Sequence, residues 1–253
     1  MSTPEVLDQL VGMSRNLGQP ERDYVILAEG NTSARAGDRC YWIKASGFHL
    51  HQIERTGFVE MCFDPVLALL NRPTVDDAEI TRTLLDARVD GSVNVRPSIE
   101  ATMHAVIYAL CEAAFIGHTH PTAVNAVMCA QGYREALEGR LFPDHLVFCG
   151  SVPAFVPYVE PGLPLARLVK RTLEEYLDAH GAAPKTILLQ NHGLIAVGKN
   201  AAEVESITAM NVKACRVLLG TAAFGGPHFL SDEDVRRIYT HPSELYRRKQ
   251  AGF

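Results

Sequence analysis

An α/β or α+β chain is predicted, because segments of helical period alternate with short apolar runs over the 253 residues. Long helix-like stretches lie at about 163–180 and 201–219. Runs such as Cys40-Tyr41-Trp42-Ile43-Lys44 read as strands, and no internal repeat or low-complexity tract interrupts the pattern. Periodicity alone does not order the sheet.

An amphipathic helix is expected from Pro4 to about Leu17. Val25-Ile26-Leu27 then runs into a polar turn, Glu29-Gly30-Asn31-Thr32-Ser33. The strand at 40–44 ends in Ala45-Ser46-Gly47. Asp64-Pro65 opens a short helix to Leu70, and Asp76 to about Arg88 reads as another. Ser98 caps a helix running to about Leu110, with Glu100 in its first turn. Phe115-Ile116-Gly117 is a strand leading into His118-Thr119-His120, and Pro121 suits the first turn of a helix reaching about Cys129. Leu146-Val147-Phe148 is strand-like, and a long helix runs from about Leu163 to His180. Thr186–Leu189 and Leu194–Val197 form a strand pair around Asn191-His192-Gly193, before a largely buried helix from Ala201 to Leu219. Nothing reads as an interdomain linker, so residues 1–253 are expected to form one domain with a C-terminal tail from about 225.

Composition narrows the function. Hydrophobic residues make up 47% and charged residues 21%, as in an ordinary globular protein. A net charge of -5 argues against nucleic-acid binding, which needs a clustered basic face; Arg236-Arg237 and Arg247-Arg248-Lys249 read as solvated helix ends. No apolar run approaches the ~20 residues that span a bilayer, and Met1–Glu5 has no signal-peptide character. The six cysteines include no CxxC pair and mostly sit beside apolar residues, which points to reduced, buried thiols and a cytoplasmic protein.

The chemistry concentrates in a few residues. In extended backbone, side chains at i and i+2 share a face, so His118 and His120 are placed to approach one metal ion, with Thr119 directed away. An isolated HxH pair is a weak signal, and His49-Leu50-His51 has the same form. Context strengthens the first pair, which lies at a strand-to-helix junction. His192 lies between two apolar strand segments, beside a glycine that permits close backbone approach or an unusual φ. Three neutral imidazoles hold a divalent metal while leaving a coordination position open. Glu100 suits a helix N-terminus electrostatically and also suits a general base beside that metal. His104, one turn along, buttresses Glu100 or packs internally. The turns carrying Asn31, Ser46, Gly47 and Ser98, with Lys44 as a full charge, offer donors for an anion.

Glu29-Gly30-Asn31-Thr32-Ser33, Lys44-Ala45-Ser46-Gly47, Pro97-Ser98-Ile99-Glu100, His118-Thr119-His120-Pro121 and Asn191-His192-Gly193, in this order, resemble the class II aldolase/adducin family over residues 5–220. The resemblance implies a three-layer α/β/α fold with a central, largely antiparallel sheet. It also implies a homotetramer with active sites near subunit boundaries. It matches His118, His120 and His192 to metal ligands and Glu100 to the catalytic acid/base. Asn31, Ser46, Gly47 and Ser98 match positions that cradle a substrate phosphate. Ile99 stands where fuculose-phosphate-type aldolases carry a second serine, which removes one phosphate donor. Asp144 and His145 lie near a segment that transfers protons across the subunit boundary in some relatives, and Tyr239 or Tyr246 is a candidate cover from the tail.

The expected activity is a divalent-metal-dependent carbon–carbon lyase acting on a small hydroxy-carbonyl or sugar-phosphate-like substrate through a metal-stabilised enediolate. Aldol cleavage and decarboxylation share this electronic demand. Dehydration or epimerisation on the same site is the alternative. Zinc is the first choice of metal, ahead of manganese or cobalt. A non-catalytic adducin-like interaction module is the rival outside enzymes. A Rossmann dehydrogenase is disfavoured because no GxGxxG follows an early strand.

Overall fold

The computed structural model describes residues 3–242. Helix α1 (Thr3–Leu17) precedes the antiparallel strands β1 (Asn31–Arg35), β2 (Cys40–Lys44) and β3 (Phe58–Cys62). Short helices α2 (Phe63–Ala68) and α3 (Asp77–Asp86) lead to α4 (Ala101–Leu110), which feeds β4 (Phe115–Thr119). After α5 (Thr122–Met128), α6 (Tyr133–Glu138) and α7 (Pro143–Cys149) come β5 (Ala154–Val156) and the long α8 (Leu163–His180). Strands β6 (Thr186–Leu189) and β7 (Gly193–Gly198) are followed by α9 (Ala201–Thr221) and α10 (Asp232–Thr240).

All these strands join one seven-stranded sheet in the order β3-β2-β1-β4-β7-β6-β5. Every pairing is antiparallel except β5 with β6, so the sheet is largely antiparallel, as expected. Side-chain alternation divides the apolar residues between two cores. Ile195 and Val197 of β7 and Ile187 of β6 join α2, α3, α4 and α8 on one face. Leu194, Ala196 and Leu188 join α1, α5, α6 and α9 on the other. Strands buried on both faces with helices over each give the three-layer α/β/α architecture.

Two expectations are corrected. Leu146-Val147-Phe148 is helical, inside α7: Pro143 opens the helix, and Gly150, at φ 84°, ends it. The apolar run is continuous because α7 is buried against α9, not because it is a strand. Asn31-Thr32-Ser33 is likewise not a turn but buried strand β1 in mid-sheet. Its hydroxyls find partners within the protein: Thr32 Oγ1 lies 2.6 Å from Ser14 Oγ, and Ser33 Oγ bonds to α4. Burying these polar side chains costs little once they are paired.

Strands β3 and β5 and helix α6 also appear where no element was assigned, and Arg236-Arg237 lie towards the end of α10. Of the cysteines, Cys111, Cys149 and Cys215 are buried. Cys129 is exposed, against expectation, while Cys40 and Cys62 face each other across β2 and β3 with 3.8 Å between sulfurs. No helix among the described residues is long and apolar enough to cross a membrane.

Candidate metal centre

Three adjoining chain segments build the site. His118 is the penultimate residue of β4, paired with Asn31 of β1 on one side and Ile195 of β7 on the other. His120 follows the strand, its N–H donating to the Tyr24 carbonyl at 2.9 Å. His192 sits in the tight β6–β7 connection, where Asn191 takes a left-handed φ of 53° and the Asn125 amide donates to the His192 carbonyl.

The ring nitrogens converge. His118 Nε2 lies 2.9 Å from His120 Nε2 and 3.3 Å from His192 Nε2. Four ligands about 2.0–2.1 Å from a zinc ion stand about 3.3 Å apart in a tetrahedron, so this cluster has metal-site dimensions. Tautomer evidence agrees: His118 Nδ1–H donates to the Leu194 carbonyl at 3.1 Å, which leaves Nε2 with a lone pair aimed into the cluster. Burial holds the His118 imidazole well below its ordinary pKa and takes His120 down to about 3, so both rings are neutral and free to ligate near neutral pH. Among the described residues these histidines form the group with metal-binding geometry; the look-alike pair His49 and His51 recruits no third ligand.

Gly193 makes the convergence possible. A Cβ there would lie 2.5 Å from the Thr119 carbonyl and 2.8 Å from the His120 ring. Gly193→Ala is therefore expected to push β7 away from the histidine pair and weaken zinc binding by tenfold or more. The accompanying overpacking cost is about 1–3 kcal/mol. Zinc titration with chemical denaturation checks both effects; parental affinity would show that the approach is not needed.

Glu100 stands over the histidines. Its Oε2 is 3.4 Å from His118 Nε2 and its Oε1 is 3.4 Å from His192 Nε2. It occupies the cap position of α4, and Ser98 Oγ accepts its N–H at 3.2 Å. A carboxylate this close to two of the three metal-binding nitrogens can exchange protons with whatever the metal holds.

The remaining candidates are brought near one another, but not all are free. Asn31 donates its amide to Glu100 Oε2 at 2.6 Å and accepts from His104 Nε2 at 2.5 Å, so its side chain is committed within the protein. Lys44 is buried, its ammonium donating to the Ala28 carbonyl at 3.1 Å. The Ser46 N–H is taken by the Arg96 carbonyl, and the Ser98 N–H by the Lys44 carbonyl. Ser46 borders a cavity of about 470 Å³, with Arg96, Ile99 and Gly162 in its wall. Gly47 has φ 86° and open space where a side chain would project. His145 is buried on α7, with Nδ1 lacking a partner among the described residues, while Asp144 lies in the first turn of the same helix. Tyr239 belongs to α10, and Tyr246 lies outside the described residues. Sequence reasoning missed Ser33 as the partner of His104, Tyr108 as the partner of Ser33, and Glu29, whose carboxylate comes 4.0 Å from His120 Nδ1.

Desolvation lowers the Lys44 pKa from 10.5 to about 8, with Glu100 acting weakly the other way. The folded state therefore binds its proton less tightly than the unfolded chain. The penalty is full below about pH 8 and fades as pH rises towards 10.5. Lys44→Met is expected to stabilise the metal-free protein by roughly 2 kcal/mol at pH 7, after subtracting the lost hydrogen bond, and by almost nothing near pH 10.5. Urea unfolding at the two pH values checks this; a pH-independent difference would contradict it.

Residues 8–219 match the family model described as Class II Aldolase and Adducin N-terminal domain. The chain belongs to this family. Class II aldolases are lyases that depend on a divalent metal, and the three-histidine cluster fits that chemistry. An uncharacterized oxidoreductase, YuxG, of Bacillus subtilis is 26% identical over 204 residues, covering 78% of this chain and 27% of that protein. A 3-oxo-tetronate 4-phosphate decarboxylase of Pectobacterium atrosepticum is 34% identical over 109 residues, covering 42% of this chain and 45% of its own length. The chain thus spans less than half the length of either relative. Similar folds include YgbL of Klebsiella pneumoniae, titled a putative aldolase/epimerase/decarboxylase (TM-score 0.72, 19% identity, 94% of this chain and 99% of that one). An L-fuculose 1-phosphate aldolase is also similar (TM-score 0.70, 20% identity, 98% of each chain).

Proposed function

We propose that this class II aldolase family member is a divalent-metal-dependent carbon–carbon lyase, cleaving a small hydroxy-carbonyl or sugar-phosphate-like compound by aldol cleavage or decarboxylation. The observation that carries this reading is Glu100, with both carboxylate oxygens 3.4 Å from nitrogens of the three-histidine cluster.

His118, His120 and His192 would hold the metal, with zinc the first choice and manganese or cobalt the alternatives. Bound there, a divalent ion supplies Lewis acidity to a substrate carbonyl and its neighbouring hydroxyl. The protein supplies the proton chemistry. Glu100 Oε2 is held by Asn31, so Oε1 is the oxygen that takes or returns a proton as the carbon–carbon bond breaks. Losing an aldehyde or carbon dioxide leaves the same enediolate-type electron pair, and one carboxyl group serves either case. Lys44 places a positive charge nearby for an anionic end of the substrate, alongside Ser46, Gly47 and Ser98. Asn31 acts through Glu100 in this account.

The similarity to the Pectobacterium 3-oxo-tetronate 4-phosphate decarboxylase over 109 residues makes a 3-oxo acid, with and without a terminal phosphate, the first substrate class to test. Ile99 supports an unphosphorylated compound, because its exposed apolar side chain lines the cavity beside Ser46. A homotetramer with sites near subunit boundaries agrees with the exposure of Ile26 and Ile99, both beside the site. We place the protein in the cytoplasm, with residues 1–253 forming one domain and with small molecules, rather than nucleic acid or membrane, as its partners.

Zinc-loaded protein should be assayed on sugar phosphates and on unphosphorylated 3-oxo and hydroxy-keto acids, following aldehyde and carbon dioxide release. The expected result is metal-dependent release of one of these products, strongest with the unphosphorylated acids. Failure of every compound to react, with metal bound, would favour a non-catalytic module.

A further inference from the structure

We infer that Tyr108, Ser33 and His104 form a one-way hydrogen-bond brace that positions Glu100 through Asn31, and that Asn31 prevents protons from passing along it. The brace rests on reading Glu100 as the acid/base, but its geometry is independent of any substrate.

Four buried hydrogen bonds connect the five side chains. Tyr108 OH lies 2.9 Å from Ser33 Oγ, and Ser33 Oγ lies 2.7 Å from His104 Nδ1. His104 Nε2 is 2.5 Å from Asn31 Oδ1, and Asn31 Nδ2 is 2.6 Å from Glu100 Oε2. The carboxylate end sets every direction. An ionised Glu100 only accepts, so Asn31 must present its NH₂ to it and its carbonyl to His104. His104 Nε2 must then carry the ring proton, and Nδ1 must accept from the Ser33 hydroxyl. The Ser33 oxygen is left to accept from Tyr108. Turning the Asn31 amide over would set its carbonyl against a carboxylate.

All four donors thus point towards Glu100, and aligned hydrogen bonds polarise one another in a buried setting. His104 is fully buried, and desolvation takes its pKa to about 4, so it remains neutral and keeps its part in the chain. An amide holds its protons too firmly to relay them. Asn31 therefore braces the carboxylate without draining its proton, and Glu100 exchanges protons only on its open side. Tyr108, Ser33 and His104 are positioning residues; none touches the histidine cluster's ring nitrogens.

Two measurements on zinc-loaded protein test the brace. In ¹⁵N-histidine-labelled protein, His104 should show the neutral Nε2–H tautomer from pH 5.5 to 8.5. An Nδ1–H tautomer or an imidazolium there would overturn the chain of donors. A double-variant cycle then combines Tyr108→Phe with Glu100→Gln in urea unfolding. Tyr108→Phe keeps the ring and its packing, so folding is retained. If the brace operates, the effects on the unfolding constant depart from multiplication by about fivefold. Multiplication to within about twofold, the behaviour of separate sites, would reduce Tyr108 to packing and overturn the proposal. Glu100→Gln assayed alone reports on the catalytic reading; a fully active variant with an intact cycle would sink the reaction and leave the brace standing.

Discussion

Glu100→Gln is expected to retain one metal ion per chain while turnover falls by about 10²–10⁴. Glutamine fills the same space, so the cap of α4 remains in place, while the negative charge that orients the Asn31 amide and the brace behind it is lost. What disappears is the group that takes a proton 3.4 Å from His192. The metal ligands are untouched, so substrate affinity should change far less than kcat. Metal analysis alongside steady-state kinetics on the compound identified by the product screen checks the split. Parental turnover would remove Glu100 from the mechanism.

His120→Ala is expected to weaken zinc binding by at least about 100-fold, taking activity with it, since two imidazoles cannot substitute for three. Its position makes it the cleanest ligand to remove. The His118 ring is fully buried and bonds across to Leu194, so truncating it opens a cavity in the sheet and confounds metal loss with unfolding. The His120 side chain retains 20% exposure, and its backbone, rather than its ring, ties to Tyr24. The metal-free variant should therefore melt close to the metal-free parent, whereas the zinc-loaded pair should differ widely. Equal zinc-induced shifts in melting temperature would show that His120 is not a ligand.

Elements with their own local signals were legible in the sequence. Helix α8 is expected and found from Leu163 to His180, because an amphipathic stretch lies between Gly162 and the left-handed Gly181. Strand β2 shows as an aromatic and branched run, and the β6–β7 pair as two apolar stretches around His192. Strand β1 was hidden because its asparagine, threonine and serine look like a turn until their partners on α1 and α4 are known. Helix α7 was hidden because its leucine, valine and phenylalanine run, with Leu146 and Val147 buried, mimics a strand, although Pro143 announces the helix.

The same division holds at the site. Residue type exposed the three histidines and Glu100, whose side chains suit metal binding and proton transfer and little else in that combination. The commitment of Asn31 to Glu100 and His104 was invisible, since it depends on which strand lies beside which helix. One signal for the brace was available: Glu100, His104 and Tyr108 recur at intervals of four at the start of α4 and along it, which puts them on one face.

The most direct test of the metal centre is diffraction at the zinc absorption edge from crystals of zinc-loaded protein. The account predicts a single anomalous peak per chain, bonded to Nε2 of His118, His120 and His192, with the Glu100 carboxyl group beside it. No peak between those rings, or a peak at His49 and His51 instead, would contradict it.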